Sequence, residues 1–350
     1  MLNNLKVARL AYRFYFKRAP LPTKISCAGR LLKNRFFRAS APISVMIAVT
    51  YRCQCRCVHC GMAAYAVDYS DELKAEEVKR LLGRIHKLGA IEVNFFGGEP
   101  LLIPRLEELI EYAGKLPLIT TVDTNGMLLD RKTLGHLKKA GIAGLKISLD
   151  SAREEVHDKQ RGVKGCFSRA LGGIKECVSQ GIPCLISTYA TRENIRNGDL
   201  KQIINLGKRL GVTGVRILQT VLSGCFIASP GVCLSPAEKD ELARLLEPGF
   251  VFLENMASSG NISEPVCSVV GKRYFYISPL GEVQPCCFVP LSFGNIREEP
   301  LETIVDRMWN SPLSNYPLKG CLMNNPDFRK RYLPFNSSPR KLPLKFESLS

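Results

Sequence analysis

The chain has 350 residues, of which 45% are apolar, and carries a formal net charge of +17. That length allows one large domain and a smaller one. No apolar run approaches the ~18–20 residues of a membrane span, and cations interrupt the first residues, which excludes a secretory signal peptide. The protein is therefore expected in the cytoplasm. In that compartment fourteen cysteines indicate metal or cluster ligation rather than a disulfide framework.

Residues 1–43 are predicted to form a basic, amphipathic amino-terminal extension, and no Asp or Glu precedes Asp68. On a helical wheel four cations share one narrow stripe, and apolar residues cover much of the remainder. The four cations are Lys6, Arg9, Arg13 and Lys17. Such a helix could lie on an anionic membrane surface, which would make the protein peripheral on the inner face of the membrane. It could equally cover an open side of the protein's own fold, or dock a peptide or a partner.

Between residues 44 and 220 the sequence predicts six strands that alternate with helices. Parallel neighbours need a crossover connection, so this alternation indicates a parallel sheet with helices outside it. Ligands collect at the carboxyl ends of the strands in such a sheet. The predicted strands are 44–50, 91–96, 118–123, 144–150, 184–189 and 214–219, and the predicted helices are 71–88 with Ser70 as N-cap, 103–115, 130–140, 167–180 and 200–210.

The first predicted strand leads into a cysteine-rich loop. Cys53, Cys57 and Cys60 form a C-x3-C-x2-C run. Three thiolates at this spacing can hold three irons of a [4Fe–4S] cluster and leave the fourth iron free to bind a small molecule. A zinc site completed by Cys55 or His59 is the alternative. If the loop holds a cluster, Cys55 is expected to be a bystander thiol.

This spacing resembles the signature of the radical S-adenosylmethionine (radical SAM) superfamily, and three later segments are similar to motifs of the same family. They are Gly97-Gly98-Glu99-Pro100, Thr124-Asn125-Gly126 and Ser148-Leu149-Asp150, at or just after the ends of the next three strands. The resemblance implies an α/β fold, a partial (β/α)6 TIM-type barrel open on one side. It also implies a [4Fe–4S] cluster whose free iron chelates S-adenosylmethionine. Electron transfer then cleaves that cofactor to a 5′-deoxyadenosyl radical, which abstracts hydrogen from a substrate.

The resemblance further implies a cofactor-binding site at the strand ends. The glycines would allow the backbone to approach the ligand, Glu99 would accept from its amino group, and polar side chains would meet its carboxylate or ribose. For Asp150 a helix-capping role, and for Arg192 a solvated loop position, are the alternatives. The residues concerned are Gly97, Gly98, Glu99, Pro100, Thr124, Asn125, Ser148, Asp150, Ser187 and Arg192. No catalytic acid, base or hydrogen donor is assigned.

A second cysteine group resembles the opening of the SPASM or twitch extension, a small Cys-rich α+β domain. Cys267, Gly281 and Cys286 give the pattern C-x13-G-x4-C, and Cys321 follows. The segment 274–283 is predicted to be a β-hairpin with its turn at 279–281, and 301–309 a helix. The further C-x2-C-x5-C-x3-C run of a full SPASM domain is missing, so one auxiliary [4Fe–4S] cluster is expected.

The predicted ligands of that auxiliary cluster are Cys267, Cys286 and Cys321, with a fourth from Cys287, Cys225 or Cys233. Without a fourth thiolate, one iron of the cluster would stay open to substrate. A twitch fold that has lost its cluster is the other alternative.

The predicted domains are the extension 1–43, a radical SAM core at 44–225, a SPASM/twitch-like domain at 226–325 and a basic tail at 326–350. The resemblance implies an enzyme that modifies a peptide or protein by hydrogen abstraction. A small metabolite or a lipid-linked substrate at the membrane surface is the alternative substrate. A non-enzymatic iron–sulfur electron carrier or zinc-binding interaction protein is the alternative class, although a carrier has no use for a cofactor pocket.

The positive charge suits an acidic electron donor, a flavodoxin or a ferredoxin, as a partner. No nucleic acid is expected, because the sequence contains no RNA-binding module.

Overall fold

A computed structural model describes residues 2–37, 41–63, 65, 68–254, 267, 269–316, 320–333 and 342–346. Its strands are β1 Ser44–Thr50, β2 Glu92–Gly97, β3 Ile119–Thr124, β4 Gly144–Ser148, β5 Cys184–Ala190, β6 Gly214–Gln219, β7 Val251–Leu253, β8 Tyr274–Ile277, β9 Val283–Gln284, β10 Leu291–Ser292 and β11 Leu344–Lys345. The α-helices are α1 Leu2–Ala11, α2 Leu21–Phe37, α3 Ala75–Lys87, α4 Leu106–Lys115, α5 Arg131–Lys139, α6 Glu154–Arg161, α7 Cys166–Ser179, α8 Arg192–Arg196, α9 Asp199–Leu210, α10 Pro236–Arg244, α11 Leu301–Trp309 and α12 Pro326–Tyr332.

Nine of the strands form one sheet in the order β7-β6-β5-β4-β3-β2-β1-β8-β9. All neighbours are parallel except β9, which is antiparallel to β8. The six predicted strands are present in sequence order, which confirms the α/β class and the partial TIM-type barrel. The predicted hairpin and the helix at 301–309 are also present. Three strands from the region after residue 225 extend the barrel sheet: β7 pairs with β6, β8 pairs with β1, and β9 pairs with β8.

The helices between the strands bury one apolar face against the sheet. In α3 this face consists of Val78, Leu81, Leu82 and Ile85. Since successive strands are connected by such helices, the carboxyl ends of β1 to β6 all lie at the same edge of the sheet. A bilayer-spanning helix is absent from the described ranges.

The prediction that α3 begins at residue 71 with Ser70 as its N-cap is wrong. The Asp68 carboxylate accepts from the Ser70 N–H, which forms a short 3-10 turn. The Leu73 N–H then donates to the Pro279 carbonyl in the β8–β9 hairpin. This tertiary bond holds the chain extended, so the helix starts only at Ala75.

The amino-terminal segment covers part of the barrel at the amino ends of the strands. Phe14 is buried, and a Cβ placed on Gly144, the first residue of β4, would lie 2.6 Å from its ring. Leu10 packs with Phe14 and with Leu185 near the start of β5. Cys27 of α2 packs beside the first residue of β3, Ile119. The sequence left open whether this segment lies on a membrane, covers the protein's own fold, or docks a peptide or a partner. In the structure it covers part of the protein's own fold, at the end opposite the cysteine loop.

This packing predicts different effects for two aromatic residues of the same helical turn. Replacing buried Phe14 by Ala should lower the free energy of unfolding by about 3 kcal/mol, because it leaves a cavity under β4 and β5. Tyr12→Ala is the matched control, since Tyr12 is exposed, and it should cost less than about 1 kcal/mol. Urea unfolding followed by circular dichroism measures both values. Equal losses would contradict the placement of Phe14.

Candidate active site

One cavity of about 1440 Å³ runs through the barrel and brings the two cysteine groups together. All six predicted cluster ligands line it: Cys53, Cys57, Cys60, Cys267, Cys286 and Cys321. At its other end it reaches Val7, Tyr15 and Leu31 of the amino-terminal segment. The cavity is larger than a typical pocket for one small molecule, about 300–1,000 Å³, so it has room for a cofactor and part of a substrate.

The Gly97-Gly98 pair lies directly against the backbone that leads into the cysteine loop. The Gly98 N–H donates to the Thr50 carbonyl at 2.8 Å. A Cβ on Gly97 would lie 2.1 Å from the Thr50 carbonyl oxygen, and one on Gly98 would lie 2.2 Å from that of Arg52. Gly97 also has φ +149°, which favours glycine. Both glycines line the cavity, and their lack of side chains lets the loop sit on the end of β2.

Glu99 is fully buried and faces the protein instead of the cavity. Its carboxylate accepts from the Thr124 hydroxyl at 2.7 Å, the Asn125 N–H at 2.8 Å and the Leu101 N–H at 3.1 Å. Burial raises the pKa of Glu99 to about 7, although these bonds act in the opposite direction. Glu99 therefore ties the end of β2 to the end of β3. Pro100, which opens a short 3-10 turn, is also buried and away from the cavity.

Four of the predicted polar ligand contacts do line the cavity. They are Thr124, Asn125, Ser148 and Ser187. The Asn125 amide nitrogen lies 3.8 Å from the Cys53 sulfur, which places it at the first cysteine group. The Ser187 hydroxyl accepts from the Arg216 guanidinium at 3.1 Å.

Asp150 lies under the cysteine loop and acts on it through Arg161. The two form a buried ion pair at 2.7 Å, and a second guanidinium nitrogen of Arg161 lies 3.6 Å from the Cys57 sulfur. His59 lies 3.6 Å from the same carboxylate. Although burial acts in the opposite direction, Arg161 and His59 hold the pKa of Asp150 below its usual value. The Arg161 carbonyl also accepts from the Arg56 N–H at 2.9 Å, so the end of α6 supports the loop through both side chain and backbone.

The chemistry of the first cysteine group fits iron ligation. A hydrogen bond from the Cys55 thiol lowers the pKa of Cys57 to about 6, and the charge of Arg161 acts in the same direction. Burial of Cys57 acts in the opposite direction. Thiolates are the form that binds iron, so a low pKa favours cluster assembly. Cys55 also lies near Cys53 and Cys166, and its sulfur is 3.7 Å from that of Met127. It is thus a hydrogen-bonding neighbour of the predicted ligands.

Arg192 does not reach the cavity. It begins α8, and its guanidinium pairs with Glu238 at 2.9 Å and donates to the Cys233 carbonyl at 3.2 Å. This position gives no support to its predicted contact with a cofactor.

The second cysteine group also suits an iron–sulfur cluster. Cys267, Cys286 and Cys321 come from three separate segments, all line the cavity, and lie near enough to influence one another's charge. Burial raises the pKa of Cys321, and the nearby thiolates of Cys267 and Cys286 raise it further. As free thiolates the three would repel one another in a dry site, and the positive charge of bound iron would offset that repulsion.

The three candidates for the fourth auxiliary ligand lie in different places. The Cys287 thiol lies within hydrogen-bonding reach of the Cys286 thiol and of the Tyr274 hydroxyl. Cys225 packs on the first cysteine loop, where its N–H donates to the Cys60 carbonyl at 3.0 Å. Cys233 does not line the cavity. Of the three, Cys287 is the one beside the second group.

Sequence reasoning missed a buried network of charges inside the barrel. The Lys146 ammonium lies 3.4 Å from Glu92 and 3.7 Å from Asp123, and Arg216 pairs with Asp123 and, at 3.1 Å, with Glu254. All five line the cavity. The sequence signal that could have predicted this network is a charged residue, Lys146 or Arg216, in the middle of the otherwise apolar strands β4 and β6.

Two family models match the chain. Residues 47–207 match the radical SAM superfamily, and residues 267–333 match the SPASM iron–sulfur cluster-binding domain. An AdoMet-dependent heme synthase of Methanosarcina barkeri is 28% identical over 76% of this chain and 82% of its own length. A PqqA peptide cyclase of Gluconobacter oxydans is 27% identical over 79% of each. The crystal structure of Streptococcus suis SuiB bound to precursor peptide SuiA has the same fold, with TM-score 0.63 and 18% identity over 83% of this chain and 70% of that one.

The contact between Arg161 and Cys57 leads to a prediction about iron retention. Arg161→Gln removes a charge that stabilises the thiolate, so a chelator should remove about half of the bound iron about tenfold faster than from the wild type. Arg153→Gln is the matched control, because this exposed arginine precedes the same helix and pairs at 4.0 Å with Asp199, outside the cavity. Iron release followed by absorbance under anaerobic conditions measures the rates. Indistinguishable rates for the two variants would show that Arg161 does not support the cluster loop.

Proposed function

The chain belongs to the radical SAM superfamily and carries a SPASM domain in residues 267–333, and we therefore propose that it matures a peptide or protein by hydrogen abstraction. It is an S-adenosylmethionine-dependent iron–sulfur enzyme with a radical SAM [4Fe–4S] cluster and an auxiliary cluster-binding domain. When bound, the first cluster and S-adenosylmethionine supply a 5′-deoxyadenosyl radical that takes a hydrogen atom from the substrate.

In this proposal Cys53, Cys57 and Cys60 hold the first cluster. Gly97, Gly98, Thr124, Asn125, Ser148 and Ser187 then surround S-adenosylmethionine, since they line the cavity at the carboxyl ends of β2 to β5. Glu99 and Asp150 act indirectly: Glu99 fixes the positions of Thr124 and Asn125, and Asp150 fixes Arg161 beside Cys57. Pro100 sets the turn after the glycines.

We propose Cys267, Cys286, Cys321 and Cys287 as the ligands of one auxiliary [4Fe–4S] cluster. The position of Cys287 beside Cys286 supports this choice over Cys225 and Cys233. The domain ranges 1–43, 44–225, 226–325 and 326–350 remain our proposed division. Within it the SPASM/twitch-like domain 226–325 is closely joined to the barrel, because β8 pairs along β1.

The observation that carries the substrate proposal is the single cavity shared by both cysteine groups. Its volume of about 1440 Å³ exceeds what one cofactor needs. Three tyrosines, Tyr51, Tyr189 and Tyr274, line it near these groups. Aromatic walls with polar tips suit the side chain of a peptide. The similarity to PqqA peptide cyclases over about four-fifths of the chain supports a peptide as the substrate class.

A small or lipid-linked molecule is the second candidate substrate. Heme synthases are similar to this chain to the same degree as peptide cyclases. The cavity also reaches Val7 and Leu31, two exposed apolar side chains of the amino-terminal helices. That end gives an apolar molecule a route to the interior which does not pass the cysteine loop.

An acidic flavodoxin or ferredoxin is the proposed electron donor. Radical SAM enzymes require a one-electron donor, and Arg52 and Arg56 are exposed on the loop that carries the first cysteine group. An acidic protein would be attracted to these cations within electron-transfer distance of the cluster.

The substrate class can be tested with the reconstituted enzyme, dithionite, S-adenosylmethionine and a low-molecular-mass fraction of cell extract. A peptide substrate should raise 5′-deoxyadenosine formation severalfold above the rate without extract. Digestion of the fraction with a non-specific protease should abolish this rise. A rise that survives protease would assign the enzyme to small molecules and contradict the peptide proposal. Cys57→Ala is the control, and it should form no 5′-deoxyadenosine under either condition.

A further inference from the structure

In residues 21–32, helix α2 turns polar side chains as well as Cys27 inward and a stripe of apolar side chains outward. Its inner face carries Thr23, Cys27 and Arg30, and the Arg30 guanidinium donates to the Ala90 carbonyl. Its outer face carries Leu21, Ile25 and Leu32, whose side chains are 68%, 63% and 56% exposed. These three lie within about 40° on a helical wheel, so they form one stripe. A surface helix normally turns such a stripe toward the core.

Exposed apolar side chains of α1 and the turn after it adjoin this stripe. The Lys24 ammonium lies 5.7 Å from the centroid of the Tyr12 ring, which connects the two segments. We call the exposed apolar set of both segments the amino-terminal face: Leu5, Val7, Tyr12, Leu21, Ile25, Leu31 and Leu32. These are seven of the ten large exposed apolar side chains in the part of the chain that the structure describes, so the exposure is concentrated at one place.

The same segment carries more than half of the protein's net positive charge. Residues 1–43 contain ten Lys and Arg and no Asp or Glu, which accounts for ten of the net seventeen charges. Lys6, Arg9, Arg13 and Lys17 are all exposed. The amino-terminal face is thus apolar and cationic at once.

We propose that the amino-terminal face binds the surface of a bilayer that contains anionic phospholipid. Such a surface satisfies both features, because apolar side chains enter the interface and cations meet the lipid headgroups. A nucleic acid would meet the cations but would leave Leu21 and Ile25 in water. A second copy of the chain would bring two faces of like charge together. An acidic electron donor bound here would be at the wrong end of the barrel.

The fold gives this binding a defined orientation. The amino-terminal segment covers the amino ends of the strands, and the cysteine loop lies at their carboxyl ends. With the amino-terminal face on a membrane, the loop therefore points away from the bilayer, where a soluble electron donor can reach it.

Vesicle flotation with the anaerobically reconstituted protein tests the proposal. The protein should float with vesicles of phosphatidylglycerol and phosphatidylcholine and should stay in solution with phosphatidylcholine alone. Raising the salt from about 0.1 M to about 0.5 M should release most of it, because salt screens the headgroup attraction. Failure to float with the anionic vesicles, or equal flotation with both kinds, would overturn the proposal. So would tight binding to a DNA duplex by a protein that does not float.

Two sets of variants separate the apolar and cationic parts. Leu21→Ser with Ile25→Ser should weaken vesicle binding about tenfold or more, because two side chains no longer enter the interface. Leu102→Ser is the matched control, since Leu102 is exposed outside the face, and it should bind like the wild type. Arg9→Gln with Arg13→Gln should bind more weakly at low salt and depend less on salt. Wild-type binding by the apolar double variant, with circular dichroism showing all variants folded, would refute the assignment.

Discussion

The site depends on one close approach between two backbones at the end of β2. Gly97 and Gly98 let the carbonyls of Thr50 and Arg52 lie where any Cβ would stand, at 2.1 and 2.2 Å. The cysteine loop is thereby held at the carboxyl ends of the strands. Glu99, the next residue, fastens the same point to Thr124 and Asn125 at the end of β3. The cysteine loop and the proposed cofactor-binding residues are therefore positioned at one point of the sheet.

A second constraint is that the buried charges around the thiols must be paired. Asp150 and Arg161 neutralise each other beneath the loop, and a second guanidinium nitrogen of Arg161 faces Cys57. Deeper in the barrel Lys146 and Arg216 are paired with carboxylates. Pairing is required because an isolated buried charge would be costly. Ion pairs between neighbouring elements thus fix the charged side chains that line the cavity.

Much of this architecture follows from local sequence. The six barrel strands, the helices between them, the hairpin at β8–β9 and the cysteine spacings depend on periodicity and turn residues that are read over short windows. The positions of α11 and of the first cysteine loop were predicted for the same reason. The resemblance to the radical SAM superfamily also depends on such short motifs.

What the sequence did not predict depends on contacts between distant segments. The late start of α3 results from the bond between Leu73 and Pro279, 206 positions apart by their numbers. The inward orientation of Glu99 and the role of Arg161 require the packed loop. The separation of Cys225 and Cys233 from the second cysteine group, and the apolar outer face of α2, likewise appear only once the elements are assembled.

The central claim is that the chain holds two separate clusters and that the first alone binds S-adenosylmethionine. It is tested most directly by counting iron and recording electron paramagnetic resonance spectra for the wild type and for the variant with Cys53→Ala, Cys57→Ala and Cys60→Ala. The account predicts about eight irons in the wild type and about four in the variant, with a spectrum that changes on addition of S-adenosylmethionine only in the wild type. A variant that retains all its iron, loses all of it, or still responds to S-adenosylmethionine would contradict the account.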